Sequence, residues 1–197
     1  MPEHRIHAGP EIPRYQIPAA SPCTPARAKT RNVTTNNGVP LVTAEPDLII
    51  ERLLLTNRDD CDAVINLWYD AGLIEQNSNA QDDLRNCYES GRGSVLIARK
   101  AHKQAVIATV MVGHDGKSGW VHYLAVAPSL RGRGHGATML DMAENILSHV
   151  GLEKCSVHAA SERAAKFYRR QGYRLTTAPS RSSSTQDDRF YEKRLSS

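Results

Sequence analysis

The sequence predicts a mixed α/β (α+β) domain in which a central, mostly antiparallel sheet of seven strands is flanked by about four helices. Two observations support this fold class. Apolar, β-branched runs and segments of helical periodicity follow one another in the order β-α-α-β-β-β-α-β-α-β-β. A helix also joins the fourth strand to the fifth, so we expect these two strands to be parallel neighbours.

The individual elements follow from local patterns. The seven predicted strands are short apolar runs bounded by turn residues, at 48–56, 94–99, 105–114, 120–127, 155–158, 173–177 and 189–195. The four predicted helices have apolar residues at helical spacing, at 57–72, 79–90, 137–150 and 162–171. Ser78 is expected to cap the second helix. The last strand is expected to close the sheet at its edge.

The chain divides by composition into two parts. Residues 1–47 carry eight of the ten prolines and show little apolar periodicity. Such a segment buries too little apolar surface to offset the entropy of ordering, so we expect a disordered or loosely extended arm. A docking tail and a dispensable extension both stay open for it, and the composition favours the extension. Residues 48–197 are expected to form the folded domain.

Composition and charge limit the classes of partner. Hydrophobic residues make up 40% of the chain, and the net charge of +4 is small and scattered, which argues against a nucleic-acid partner. No apolar run approaches the ~20 residues that span a bilayer, so no membrane partner is expected. Cys23, Cys61, Cys87 and Cys155 are widely spaced, which predicts no metal site and reduced thiols in a cytoplasmic protein.

The most informative segment is the polar loop between the fourth strand, which stops at Pro128, and the helix predicted to begin at Ala137. The loop holds three glycines, Gly132, Gly134 and Gly136. A strand, a glycine loop and a helix together aim free backbone N–H groups and the positive end of the helix dipole at an anion. The Gly-His-Gly sequence at 134–136 replaces the Gly-Lys-Ser/Thr of a Walker loop, so Mg-nucleotide binding is not expected.

Three motifs carry a resemblance to a known family. Arg131-Gly132-Arg133-Gly134-His135-Gly136 resembles the R/Q-x-x-G-x-G/A motif of the GNAT superfamily of acyl-CoA-dependent N-acetyltransferases. Leu124-Ala125-Val126-Ala127-Pro128 precedes that loop, and 167–173 is similar to the family's F-Y-x-x-x-G-F/Y. The order of elements over 48–195 is also that of the GNAT fold. A finer similarity, through 111–116 and 119–124, is to the small bacterial YpeA-type branch.

The resemblance implies an acetyl-CoA co-substrate and assigns residues to it. The fourth and fifth strands are expected to splay apart, so that backbone groups of Leu124, Ala125 and Val126 face the pantetheine arm and the thioester. The diphosphate is expected on the loop residues, which are Arg131, Gly132, Arg133, Gly134, His135 and Gly136. Tyr168 matches the general-acid position. Ser161 replaces a frequent Asn, and its hydroxyl is expected either to cap the last helix or to contact pantetheine.

A base that deprotonates the acceptor amine is less well defined. The candidates are His122 and Tyr123 on the fourth strand, and His114 and Asp115 before the preceding turn. Strict alternation places His122 and Leu124 on one face of the strand and Tyr123 on the other. A lone strand histidine is more often a hydrogen-bonded structural residue, so both roles stay open for His122.

The implied reaction is transfer of an acetyl group from acetyl-CoA to a primary amine of a small-molecule or peptide acceptor, by direct attack in a ternary complex. No metal is implied, and a homodimer is compatible with the resemblance. Two alternatives stay open. One is a catalytically idle acyl-CoA-binding domain that acts as a sensor or scaffold. The other is a nucleic-acid binder that uses residues 131–133 and the basic tail, although no recognition module accompanies them.

Overall fold

The protein is described by a computed structural model that covers residues 48–75, 78–100, 104–176 and 189–195. The arm predicted at 1–47 and Cys23 lie outside the described residues. All the described residues belong to one compact unit.

A single seven-stranded sheet forms the centre of the domain, with the strand order β1-β2-β3-β4-β5-β7-β6. The strands are β1 Leu48–Arg52, β2 Gly93–Lys100, β3 Val106–His114, β4 Gly119–Val126, β5 Lys154–Ala159, β6 Arg174–Thr176 and β7 Arg189–Arg194. All neighbours are antiparallel except β4 and β5, which are parallel. The predicted fold class is therefore confirmed.

Helices cover both faces of the sheet. They are α1 Arg58–Asp70, α2 Ala80–Glu89, α3 His135–His149 and α4 Glu162–Arg170, with a short 3₁₀ turn at Pro128–Leu130. One buried cluster joins the apolar stripes of α1 and α2 to one face, and a second joins those of α3 and α4 to the other. On β3, for example, Met111 belongs to the α1/α2 core, whereas Val110 and Val112 belong to the α3/α4 core.

Side chains near the N-termini of α1 and α2 determine where these helices begin. At α1, the Asn57 side chain accepts a hydrogen bond of 3.3 Å from the Asp60 N–H, which satisfies one of the free donors of the first turn. The predicted cap of α2 by Ser78 is wrong. Asn79 is the N-cap, and the Ser78 hydroxyl instead donates to the Glu75 carbonyl at 2.8 Å. A serine hydroxyl readily forms a hydrogen bond with nearby backbone groups. Here that bond stabilises the turn before α2 and does not cap the helix.

The last strand does not lie at the edge of the sheet, as the sequence pattern suggested. β7 is inserted between β5 and β6 and pairs with β5 from Ala159↔Arg189 to Lys154↔Arg194. Its Tyr191 is buried, whereas Leu175 of the three-residue β6 is 66% exposed. The longer strand pairs with the full length of β5 along one edge, and the short β6 is left as the edge of the sheet.

The close packing of β3 against β4 at Gly113 predicts how a larger residue there would change the stability of the fold. Gly113 on β3 is opposite Trp120, and a Cβ atom at position 113 would lie 2.3 Å from the indole ring. We expect Gly113→Ala to lower the free energy of unfolding by about 1–3 kcal/mol through overpacking. Urea denaturation measures this change. Adding Trp120→Phe should recover part of the loss, because the smaller ring leaves room for the methyl group. Additive losses in the double variant would contradict the assigned clash.

Candidate active site

The central opening of the sheet lies between β4 and β5. The two strands pair at only three positions, Gly119↔Cys155, Trp120↔Ser156 and Val121↔Val157. β4 continues to Val126 and β5 continues to Ala159 without further pairing between them. Backbone groups of β4 beyond residue 121 therefore face a gap on the β5 side, which confirms the expected splay.

A bulge in β4 accompanies this opening. His122 is opposite Met111, but Ala125 is opposite Thr109, so β4 carries one extra residue within this stretch. Within the bulge, Tyr123 has a φ of 49°, in the left-handed region that bulky side chains rarely adopt.

The bulge overturns the alternation expected along β4. Tyr123 packs into the α1/α2 core, and the ring of His122 is 5.0 Å from that of Trp120 in the same core. Leu124 packs against the α3/α4 core instead. The prediction that His122 and Leu124 share a face is wrong, because the extra residue shifts the phase of every side chain that follows it.

The glycine loop leads directly into α3. The helix begins at His135 rather than at Ala137, so Gly136 lies in its first turn, and Gly134 is the N-cap with a φ of 93°. No side chain caps this end. In the described part of the chain, the backbone N–H groups of 132–137 donate to no backbone carbonyl. These donors are available to an anion.

The space in front of the loop is open. Gly132 and Gly134 both have positive φ, and a Cβ atom placed on either would meet no heavy atom within 4 Å. A Cβ on Gly136 would lie 3.6 Å from the Phe167 ring and 3.7 Å from Val126. The start of α3, the end of β4 and helix α4 therefore meet at this glycine, beside the opening.

The polar side chains of the loop have different roles. The Arg131 Nε donates a 3.0 Å hydrogen bond to the Val126 carbonyl, which ties the loop to the end of β4. Arg133 is exposed. The imidazole of His135 is buried, and its Nε2 has no hydrogen-bond partner among the described residues. Position 135 therefore presents its backbone, and not its side chain, to the loop surface.

Helix α4 places the candidate acid in the α3/α4 core. Tyr168 is 6% exposed, and its ring contacts the rings of Phe167 and Tyr173 at centroid distances of 5.2 and 5.6 Å. Burial, and then the Cys155 thiol nearby, raise the pKa of Tyr168 well above that of a free phenol. Ser161 is the N-cap of α4, where its Oγ accepts a 3.2 Å hydrogen bond from the Ala164 N–H. Of the two roles expected for Ser161, helix capping is therefore present in the structure.

Two histidines flank the opening on the α1/α2 side. His122 and His158 are the residues that directly follow the last paired positions of β4 and β5. Burial, and then the proximity of His158, lower the pKa of His122, although Asp83 acts in the opposite direction. His122 is nevertheless exposed to solvent. A partly exposed imidazole with a lowered pKa is neutral at physiological pH and can accept a proton.

The other base candidates are placed differently. His114 Nδ1 accepts the Gly116 N–H at 3.2 Å, and Asp115 Oδ1 accepts the N–H groups of Lys117 and Ser118 at 2.8 Å each. Both side chains therefore stabilise the β3–β4 turn. This turn lies at the end of β4 that pairs with β5.

The Tyr123 hydroxyl is a hydrogen-bond donor and is therefore not available as a base. Its hydroxyl donates to Asp83 Oδ2 at 2.6 Å, and its ring stacks on Trp68 at 4.2 Å with the planes 19° apart. Sequence reasoning missed Trp68, Asp83 and His158 as site residues. Nothing in the sequence signals them, because α1, α2 and β5 meet β4 only in the folded chain.

The described residues contain neither a candidate metal site nor a candidate membrane span. No group of three or more His, Cys, Asp or Glu side chains in this part of the chain could hold a metal ion. No helix in the same residues is long and apolar enough to cross a membrane.

Solved structures of similar fold come from several organisms. They include a GNAT-family acetyltransferase from Staphylococcus aureus Mu50, with 19% identity and a TM-score of 0.63 over 76% of this chain and 99% of that chain. The ribosomal-protein-S18-alanine N-acetyltransferase from Escherichia coli has 17% identity and a TM-score of 0.60, over 76% and 95%. The PaiA N-acetyltransferase from Thermoplasma acidophilum, solved with coenzyme A, has 17% identity and a TM-score of 0.55, over 75% and 98%.

At these identities, the structural likeness shows the fold alone. The family comparison goes further, because the model of the acetyltransferase (GNAT) family matches residues 61–173, more than half of the chain. The matched segment runs from α1 through β4, the glycine loop and α4 to Tyr173. The chain therefore belongs to the GNAT acetyltransferase family.

Proposed function

We propose that this protein transfers an acetyl group from acetyl-CoA to a primary amine, which attacks directly in a ternary complex. The observation that carries the proposal is the gap between β4 and β5 beside an uncapped helix start. The gap offers unpaired β4 backbone to an extended, amide-containing arm, and the helix start offers N–H donors to a diphosphate.

The residues that would hold the coenzyme follow from this arrangement. The N–H groups of 132–137 would bind the diphosphate, with charge added by Arg131 and Arg133. The backbone of 124–126 would pair with the pantetheine arm. Bound acetyl-CoA supplies the acyl group as an activated thioester. A preorganised N–H in 124–126 that faces the thioester oxygen is typically worth about 10²–10³ in rate.

Two side chains on opposite faces of the sheet would handle the protons. Tyr168 would donate a proton to the departing sulfur, and its raised pKa keeps the phenol protonated until charge develops there. His122 would accept the proton of the attacking amine, and its lowered pKa keeps the imidazole neutral. Tyr168 lies in the α3/α4 core, whereas His122 lies beside Trp120 on the α1/α2 side, so the acid and the base would be on opposite sides of β4.

Finer assignments are part of the same proposal. The described cysteines Cys61, Cys87 and Cys155 are free thiols, which supports a cytoplasmic site of action. The segments 111–116 and 119–124, which suggest the YpeA-type branch, form one paired unit in which Gly113 leaves room for Trp120. The acceptor would be a small-molecule or peptide amine.

Acceptor profiling tests the proposed activity directly. Purified protein is mixed with acetyl-CoA and a panel of polyamines, aminoglycosides, peptide N-termini and lysine peptides, and thiol release is followed. Turnover with an amine supports the transferase. Coenzyme binding without turnover would instead support the sensor or scaffold. Failure to bind the coenzyme, together with binding to DNA or RNA that weakens steeply with salt, would support the nucleic-acid alternative.

The first prediction concerns the glycine loop. Gly134→Val should abolish coenzyme A binding in calorimetry, because the side chain enters the open space before the helix start. Gly151→Val is a matched control, since Gly151 also has positive φ (81°) with nothing within 4 Å but follows the far end of α3. Both variants should lose about 1–2 kcal/mol of stability from backbone strain. Retained binding in Gly134→Val would refute the loop assignment.

The second prediction concerns the acid. Tyr168→Phe should keep the coenzyme A affinity and lower kcat at least about tenfold, because the proton donor is lost while the ring still packs. Tyr173→Phe removes a buried hydroxyl from the adjacent ring and should leave kcat near that of the unmodified protein. Steady-state kinetics and calorimetry measure the two quantities. An unchanged kcat in Tyr168→Phe would remove Tyr168 from the mechanism.

The third prediction concerns pH. A base must be deprotonated, so kcat/KM should fall as the pH drops through the pKa of His122, which lies below the ordinary value of about 6.5. His122→Gln should lose this acidic limb and lower kcat/KM at least about tenfold on the plateau. His114→Gln, at the β3–β4 turn, should keep the limb. An NMR titration that places the pKa of His122 above 6.5 would count against the assignment.

A further inference from the structure

The bulge of β4 places an aromatic residue in an unfavourable backbone conformation. Tyr123, with a φ of 49°, is the one non-glycine residue in the described chain with a positive φ. A bulky residue persists in this region only when its surroundings hold it there, and such positions often belong to functional sites. The contacts of this side chain therefore show what maintains the bulge.

Helix α1 provides the first contact. The Tyr123 ring stacks on the indole of Trp68 at a centroid distance of 4.2 Å, with an angle of 19° between the planes. Trp68 is completely buried, so it forms a fixed surface for the ring. A stacked aromatic pair contributes attraction beyond the burial of its area.

Helix α2 provides the second contact. The Tyr123 hydroxyl donates a 2.6 Å hydrogen bond to Oδ2 of Asp83. Burial, and then Asp83, raise the pKa of Tyr123 to about 12, so the phenol stays protonated and the bond stays charge-assisted at neutral pH. Asp83 also lies close enough to His122 to affect its titration. One side chain thus connects α1, α2 and the bulge.

Tyr123 and its contacts lie next to the part of β4 that is assigned to acyl transfer. Pairing of β4 with β5 ends at Val121, two residues before Tyr123, and the backbone assigned to pantetheine, 124–126, follows it directly. We propose that Tyr123 is a positioning residue, which uses its stack on Trp68 and its hydrogen bond to Asp83 to hold the bulge that aims the 124–126 backbone into the opening. The inference rests on the proposed transferase function.

Amide hydrogen exchange tests the positioning role without any need for activity. Tyr123→Phe keeps the stack and removes the hydrogen bond to a charged acceptor. We expect the amides of 122–126 to exchange about tenfold faster in this variant, because local opening becomes easier. Asp83→Ala should give the same increase, and the double variant should add nothing further. Unchanged exchange in Tyr123→Phe would overturn the proposal.

Kinetics separate positioning from general stability. Tyr123→Phe and Asp83→Ala should each lower kcat about tenfold. Affinity for coenzyme A should fall by a smaller factor, because the loop before α3 that would hold the diphosphate is untouched and only the contacts of 124–126 are loosened. Asp83→Asn should rescue kcat, since its amide oxygen still accepts from the phenol. An equal loss in Asp83→Asn would overturn the proposal, because charge and not the hydrogen bond would then matter.

Asp82→Ala is the matched control. Asp82 is the neighbouring residue of α2, its side chain is 52% exposed, and it pairs with Arg85 at 3.1 Å. The variant should leave both the exchange of 122–126 and kcat unchanged, and a tenfold effect would overturn the assignment to Asp83. If Tyr123→Phe accelerates exchange but the unmodified protein transfers acetyl to no amine, the transferase proposal fails while the hold on the bulge stands.

Discussion

Parallel pairing between β4 and β5 stops after Val121 and Val157, and this interruption is the constraint on which the rest of the site depends. Buried backbone N–H and C=O groups normally find partners, so a gap in the middle of a sheet has to be compensated. β5 is fully paired on its other side by β7, and β4 keeps its pairing with β3. The unpaired groups are thereby confined to the facing edges of β4 and β5, where water or an extended ligand can reach them.

The bulge divides the functional groups between the two faces of the sheet. The residues before it place Trp120 and His122 on the α1/α2 side, and those after it place Leu124 and Val126 on the α3/α4 side. The uncapped start of α3 and the phenol of α4 lie with the second group. A coenzyme and an amine could therefore approach from different sides and meet at the opening, as a ternary complex requires.

The sequence was sufficient for the fold class and for placing the glycine loop between β4 and α3. Helical and strand periodicities are local, and a helical crossover fixes parallel neighbours, so the element order and the β4/β5 relation could be predicted. The loop glycines are also a local feature of the sequence, and their spacing predicts a loop that exposes its backbone N–H groups. The phase of β4 could not be predicted, because a single extra residue reverses the alternation without leaving a sequence signal at Tyr123. The place of β7 in the sheet and the contacts of Asp83 depend on tertiary packing, which local patterns do not contain.

The insertion of β7 between β5 and β6 has a consequence for synthesis of the chain. Until Arg189–Arg194 has left the ribosome, β5 has only the short parallel contact with β4, and its other edge is bare. Exposed strand edges are sites of intermolecular association. A chain in which β7 has not yet paired would expose this edge of β5, and pairing of β7 both completes the sheet and covers the edge.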